Sequence, residues 1–208
     1  MKDVFLFVLE MIGTVAFAIS GAMVGVQKKM DLFGIAILGM VTATGGGAVR
    51  DLFLNIAPPT VFRNPVYALT AIGVSIIVFI PAVRRAFTQH TRAYELTLRV
   101  IDAVGLGVFT VVGVQAAYAT FPDANLFLTS FIGALTAVGG GILRDVLAGT
   151  MPYVFVKHFY ACAALIGAIA CALLWPVGSI LAMLAGMGIT ILLRLLAAHF
   201  HWNLPKAK

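Results

Sequence analysis

Thr44-Gly45-Gly46-Gly47-Ala48-Val49-Arg50-Asp51 stands inside a long apolar stretch of this 208-residue chain, and Gly139-Gly140-Gly141-Ile142-Leu143-Arg144-Asp145 returns inside another. Each glycine weakens a helix by about 1 kcal/mol relative to alanine. A charged side chain at membrane depth costs about 2.5–3.5 kcal/mol on insertion scales. Two copies of so unfavourable a combination, in the same order, mark a device rather than filler.

The surrounding composition says what kind of chain carries it. With 62% apolar residues, 11% charged residues and a mean hydropathy of +1.05, it departs from soluble domains, in which about a quarter of residues are charged. An integral, multi-pass protein of the cell inner membrane is expected. The net charge of +6 does not point to nucleic acid, because the basic residues are scattered at the ends of apolar runs instead of forming one basic face. Cys162 and Cys171 read as packing residues. Only Lys2 precedes the first apolar run and no clear cleavage site follows, so that run is read as a span and not a signal peptide.

At about 20 residues per crossing, the apolar runs predict seven spans, over about 4–26, 32–57, 65–83, 97–118, 126–151, 158–174 and 177–198. Seven crossings put the termini on opposite sides. Lys28, Lys29, Arg84, Arg85, Arg92, Arg99, Lys157, Arg194, Lys206 and Lys208 then fall on one side, and Lys2 and Arg63 on the other. Positive residues mark the cytoplasmic side, so the N-terminus is expected outside and the C-terminus in the cytoplasm.

An internal repeat underlies these spans. A shift of 94 residues superposes the triple glycines, Arg50-Asp51 on Arg144-Asp145, Pro58 on Pro152 and Arg63 on Lys157. A shift of 92 matches Glu10 with Asp102, Gly13 with Gly105, Phe17 with Phe109 and Gly21 with Gly113. Each unit holds three spans, and because three is odd the second copy enters from the opposite face, as inverted repeats of transport proteins do. The expected fold is therefore all-α: residues 1–92 as one three-helix repeat, 93–175 as its inverted copy, and 176–208 as a seventh helix with a basic tail.

Three glycines near the middle of a span predict that helices 2 and 5 are kinked or broken there, with freed carbonyls facing an aqueous path. Close helix packing is the plainer alternative. Neighbours on a helix point in different directions, so Arg50 is not expected to pair with Asp51, nor Arg144 with Asp145. Depth along the spans favours Glu10 with Arg50 near one mouth and Asp102 with Arg144 near the other. The cross-repeat pairs Arg50 with Asp145 and Arg144 with Asp51 are the rival, and an ion pair that only fixes helix register stays open. Thr14, Ser20 and Thr110 accompany these charges. Thr42 and Thr136, at matching positions, and Thr44 are the favoured pore hydroxyls, a chemistry suited to a partly hydrated monovalent cation.

His90, His158, His199 and His201 lie at span ends with no cysteine at metal-ligand spacing, so neither a metal nor a cofactor is expected. Nothing resembles a nucleophile with its base, so the chain is not read as an enzyme.

Seven spans in a three-plus-three-plus-one order, with Gly-Gly-Gly-x-x-Arg-Asp in the second and fifth, resemble the prokaryotic members of the trimeric intracellular cation channel family. The same proteins are also labelled a glycine transporter family. The resemblance implies a homotrimer within membrane lipid and one pore per protomer. It further implies K⁺ and Na⁺ as permeant ions, gating by voltage, and kinked helices around the pore. It carries pore or gate roles onto Gly45, Gly46, Gly47, Arg50, Asp51, Gly139, Gly140, Gly141, Arg144 and Asp145. Animal members bind an anionic lipid at a basic site, for which this chain has no matching cluster. A carrier for a small solute such as glycine remains the alternative function, and a membrane scaffold without transport a weaker one.

Overall fold

The computed structural model describes residues 2–83, 91–156, 159–200 and 202, and every regular element among them is a helix. In chain order these are α1 (Lys2–Gln27), α2 (Leu32–Phe53), α3 (Thr60–Arg63), α4 (Val66–Phe79), α5 (Thr91–Thr120), α6 (Leu126–Leu147), α7 (Tyr153–Val156), α8 (Tyr160–Leu174) and α9 (Ser179–His199). Helices α1, α2, α5, α6 and α9 are long and apolar enough to cross a membrane. The apolar helices α4 and α8 have 14 and 15 residues. At 1.5 Å per residue they rise about 21–22 Å, short of a hydrocarbon core of about 30 Å. Large apolar side chains such as Phe33, Leu52 and Phe127 lie exposed on the outside, a surface suited to lipid tails rather than water.

The ends of α2 and α6 are written in the sequence by the same pair of signals. Asp31 accepts a hydrogen bond from the Gly34 N–H at 2.7 Å, and Asn125 from the Leu128 N–H at 2.8 Å; these are N-caps. At the other end, Asn55 and Gly149 turn left-handed, with φ of 57° and 64°. The N–H of Ile56 then reaches the Asp51 carbonyl, and that of Thr150 the Asp145 carbonyl, which closes a Schellman motif in each copy. The two helices therefore stop at Phe53 and Leu147, several residues before the prolines expected to end them.

That early stop moves the triple glycines out of mid-span and puts Arg50 and Arg144 in the last helical turn. A cation there complements the negative end of the helix dipole, which eases the burial that an arginine at mid-membrane would suffer. Both helices also run continuously through their glycines, so of the two expected forms, kinked or broken, the break is absent. The missing side chains serve contact instead. A Cβ on Gly46 would fall closer than 3.0 Å to the Thr136 carbonyl oxygen, and one on Gly140 equally close to the Thr42 carbonyl oxygen. With no Cβ in the way, α2 and α6 cross backbone to backbone.

Around that crossing the helices sort into two groups, α1 with α2 and α4, and α5 with α6 and α8; α9 packs on α5 and α8. The groups meet through α2 against α6 and α1 against α5. Arg84, Arg85, His90, Lys157, His158, His201, Lys206 and Lys208 lie outside the described residues, as do the side chains of Lys2 and Arg92.

Candidate functional site

The last turns of α2 and α6 each bring their arginine and aspartate into one ion pair. Arg144 Nε donates to Asp145 Oδ1 at 2.8 Å, and Arg50 Nε to Asp51 Oδ1 at 2.9 Å. The expectation that these neighbours could not pair is corrected here. Their Cβ atoms do diverge, but the three-carbon arginine stem lets the guanidinium fold back beside the next side chain, and the guanidinium offers five donors in a fork. Each aspartate's second oxygen is also occupied. Asp51 Oδ2 accepts the Thr60 N–H at 2.6 Å, and Asp145 Oδ2 the Tyr153 N–H at 2.8 Å, tying the start of α3 or α7 to the end of the preceding long helix.

Beyond this common unit the two sites differ. Arg144 Nη1 donates to Asp102 Oδ1 at 2.9 Å and to Ser20 Oγ at 2.6 Å, while Ser20 Oγ donates to the same Asp102 oxygen at 3.2 Å. This joins α1, α5 and α6 in one buried network. A cavity of about 490 Å³ opens beside it, bordered by Gln27, Lys28, Arg99, Thr150 and Arg194 as well. Arg194 is buried in α9, with its guanidinium 5.4 Å from the Tyr153 ring centre and 4.9 Å from that of Tyr160, at cation–π range.

Glu10 takes a different partner from the one expected. The Tyr67 hydroxyl donates to Glu10 Oε2, and the ion pair of Arg50 is made with Asp51. Glu10 and Arg50 still border one cavity, of about 50 Å³, together with Thr14, Thr44, Gly47 and Thr60. This cavity lies toward the start of α1 and the end of α2, the larger one toward the end of α1. In both copies of the motif, the third glycine leaves room beside the arginine. A Cβ on Gly47 would meet only Arg50 Nη2, at 3.8 Å, and one on Gly141 would meet Tyr160 Oη at 3.4 Å and Arg144 Nη2 at 3.8 Å. The cross-repeat pairs do not form in these ion pairs, since Arg50 holds Asp51 and Arg144 holds Asp102 and Asp145.

Thr42 and Thr136, the two favoured hydroxyls, are turned away from both cavities. Thr42 Oγ1 donates to the Leu38 carbonyl and Thr136 Oγ1 to the Ile132 carbonyl, both at 2.6 Å. Each hydroxyl is pressed where a Cβ of Gly21 or Gly113 would otherwise stand. Four residues back along a helix lies the nearest free acceptor for a buried threonine, and that local bond satisfies it. Thr44 also bonds back, to the Met40 carbonyl at 2.8 Å, yet borders the smaller cavity. Changing Thr42 and Thr136 together to valine is therefore expected to leave transport within about two-fold of wild type in a liposome flux assay, since a back-bonded hydroxyl contributes little.

Tyr67, Tyr153, Tyr160, Arg194 and the Thr60 N–H were not singled out by sequence. A signal existed for one of them. Arg194, expected among the loop charges, stands in Ile191-Leu192-Leu193-Arg194-Leu195-Leu196, apolar company like that of Arg50 and Arg144.

Known proteins share this architecture. The model of the family described as Glycine transporter matches residues 7–82 and 99–176. The inner membrane protein YadS of Escherichia coli K12 is 37% identical over 200 residues, covering 95% of this chain and 93% of YadS. A solved TRIC cation channel superposes with a TM-score of 0.85 at 39% identity, covering 97% of this chain and 96% of that one. The TRIC trimeric intracellular cation channel orthologue from Rhodobacter sphaeroides does so with a TM-score of 0.85 at 35% identity, covering 94% and 98%. With matches along nearly its whole length in sequence and in fold, the chain belongs to the prokaryotic trimeric intracellular cation channel family.

Proposed function

We propose that the chain is a channel for monovalent cations, K⁺ and Na⁺, with one pathway inside each protomer of a homotrimer. One observation carries this: two cavities, each bordered by the same Arg-Asp unit, lie toward opposite ends of one helix bundle. Polar and charged groups inside a membrane bundle mark an ion or solute path. Similarity to solved cation channels supports the choice of ion.

In this reading α4 and α8 complete seven crossings, and residues 1–92 and 93–175 are inverted copies followed by the seventh helix. The paired caps, Schellman motifs and Arg-Asp units support the duplication. The N-terminus lies outside and the C-terminus in the cytoplasm, so the larger cavity opens inward. Arg50, Asp51 and Glu10 act at the outer cavity, and Arg144, Asp145 and Asp102 at the inner one. Gly47 and Gly141 keep room beside the two arginines.

A second reading has one observation in its favour. The larger cavity is bordered by Lys28, Arg99, Arg144 and Arg194 against Asp102 and Asp145, a mixture that would also hold the carboxylate and ammonium of a small zwitterion such as glycine. Single-protein bilayer recording and radiolabelled glycine uptake into liposomes separate the two. The expected result is unitary current that reverses where K⁺ and Na⁺ gradients set it, without saturable glycine uptake. Saturable uptake with no unitary current would replace the channel by a carrier.

A further inference from the structure

We propose that the pathway rectifies, passing cations more readily from the smaller cavity to the larger than back, because the charges at its two ends are unequal; this rests on the channel reading. The charges that the two repeats share are matched. Glu10, Arg50 and Asp51 border the smaller cavity, and their counterparts Asp102, Arg144 and Asp145 the larger. Each set carries one net negative charge. The larger cavity is bordered by three further cations, Lys28, Arg99 and Arg194, which turn it to a net positive charge of two among the described residues.

The repeat supplies no match for these three at the other end. On the shift of 92, Lys28 falls on Thr120 and Arg99 on Phe7. Thr120 spends its hydroxyl on the Ala116 carbonyl, and Phe7 is apolar. The third cation, Arg194, stands on α9, which has no copy. It is 2% exposed, and a buried charge is the one that salt screens least. Lys28 is exposed, just beyond the end of α1, and the ion pairs of Arg144 are made without it. Holding the bundle together therefore does not account for Lys28. Concave walls of low dielectric focus such fields and change the local concentration of ions, as rings of charged side chains do at the mouths of pores. With equal salt on both sides, supply at the entry mouth limits the flow. A cation entering through the smaller cavity meets net negative charge, and one entering through the larger meets net positive charge. In the topology proposed above, the easier direction leads into the cell.

The test is unitary current through the full-length protein in planar bilayers, with equal KCl on both sides and voltages of either sign. At about 0.01 M KCl, where the Debye length is about 30 Å, current toward the larger cavity is expected to exceed the reverse current at least about two-fold. At about 1 M, where that length is about 3 Å, the two currents should be equal. A voltage-dependent gate would alter the time spent open and not the size of the open current. Lys28→Glu brings the larger cavity to zero net charge and should remove most of the asymmetry, whereas Lys28→Arg should keep it. Lys28→Cys identifies the side. A positively charged, membrane-impermeant thiol reagent should keep the asymmetry and a negatively charged one remove it, each reacting only from the side of the larger cavity; wild type, with Cys162 and Cys171, is the control. Equal currents at low salt, a larger reverse current, or an asymmetry that Lys28→Glu leaves unchanged would remove the rectification and keep the channel. A wild type without unitary current, with equally silent variants, overturns the channel reading and the rectification with it.

Discussion

Replacing Arg144 with methionine should lower the stability of the folded protein by about 3–5 kcal/mol, the range for removing one partner of a buried ion pair. The arginine side chain is 7% exposed, and those of Asp102 and Asp145 are 11% and 9% exposed. Methionine fills similar volume but leaves both carboxylates and Ser20 Oγ without the donor that joins them. At roughly 2–4 °C per kcal/mol for a chain of this size, the thermal unfolding midpoint in detergent should fall on the order of 10 °C. Arg144→Lys should lie between, because an ammonium keeps the charge but lacks the fork that reaches Asp145 and Asp102 together. Adding Asp102→Asn to Arg144→Met should recover part of the loss, with a coupling of about 1–3 kcal/mol between the two positions. Strict additivity of the two changes would show that the pair does not act as a unit.

Within one triple glycine, the middle residue should respond to alanine very differently from its neighbour. At Gly46 the new methyl meets the Thr136 carbonyl oxygen, and at Gly140 the Thr42 carbonyl oxygen. Both obstacles are helix backbone, which cannot swing aside. Overpacking of this kind costs about 1–3 kcal/mol per site, so Gly46→Ala with Gly140→Ala should lose roughly 2–6 kcal/mol and abolish flux by parting α2 from α6. At Gly47 the methyl meets only Arg50 Nη2, at 3.8 Å. There alanine should be neutral or should stabilise by up to about 1 kcal/mol through helix propensity. Gly45 is intermediate, since its obstacle is Leu143 Cδ1 at 2.5 Å, the end of a side chain that can move. Equal effects at positions 46 and 47 would mean the glycines are used for flexibility and not for contact.

Glycine lowers helix propensity, so three in a row suggested a break. What outweighs that local preference is the neighbouring helix, whose backbone occupies the space a side chain would need. The expected pair of Asp102 with Arg144 forms, whereas Arg50 with Asp51 and Arg144 with Asp145 pair against expectation for a related reason. Helical spacing fixes where Cβ atoms point, but a long arginine stem reaches round to its own neighbour. Glu10 was found as a buried charge, whereas its partner Tyr67 lies 57 residues away on a helix whose rotation no periodicity gives. The helix stops are expected at the prolines but fall several residues earlier, at Asn55 and Gly149, both of them residues that tolerate a left-handed turn.

The sequence by itself determined the membrane class, the helical content, the duplicated Gly-Gly-Gly-x-x-Arg-Asp motif and the family, because hydropathy, caps and repeated motifs are local or periodic properties. Only the tertiary structure decided where the motif sits and what it touches. It placed the glycines at a backbone crossing, turned Thr42 and Thr136 into the packing, and brought Asp102 to Arg144 but Tyr67 to Glu10. Each of these depends on how helices distant in sequence are rotated against one another, and that rotation is set by the packing of all of them together.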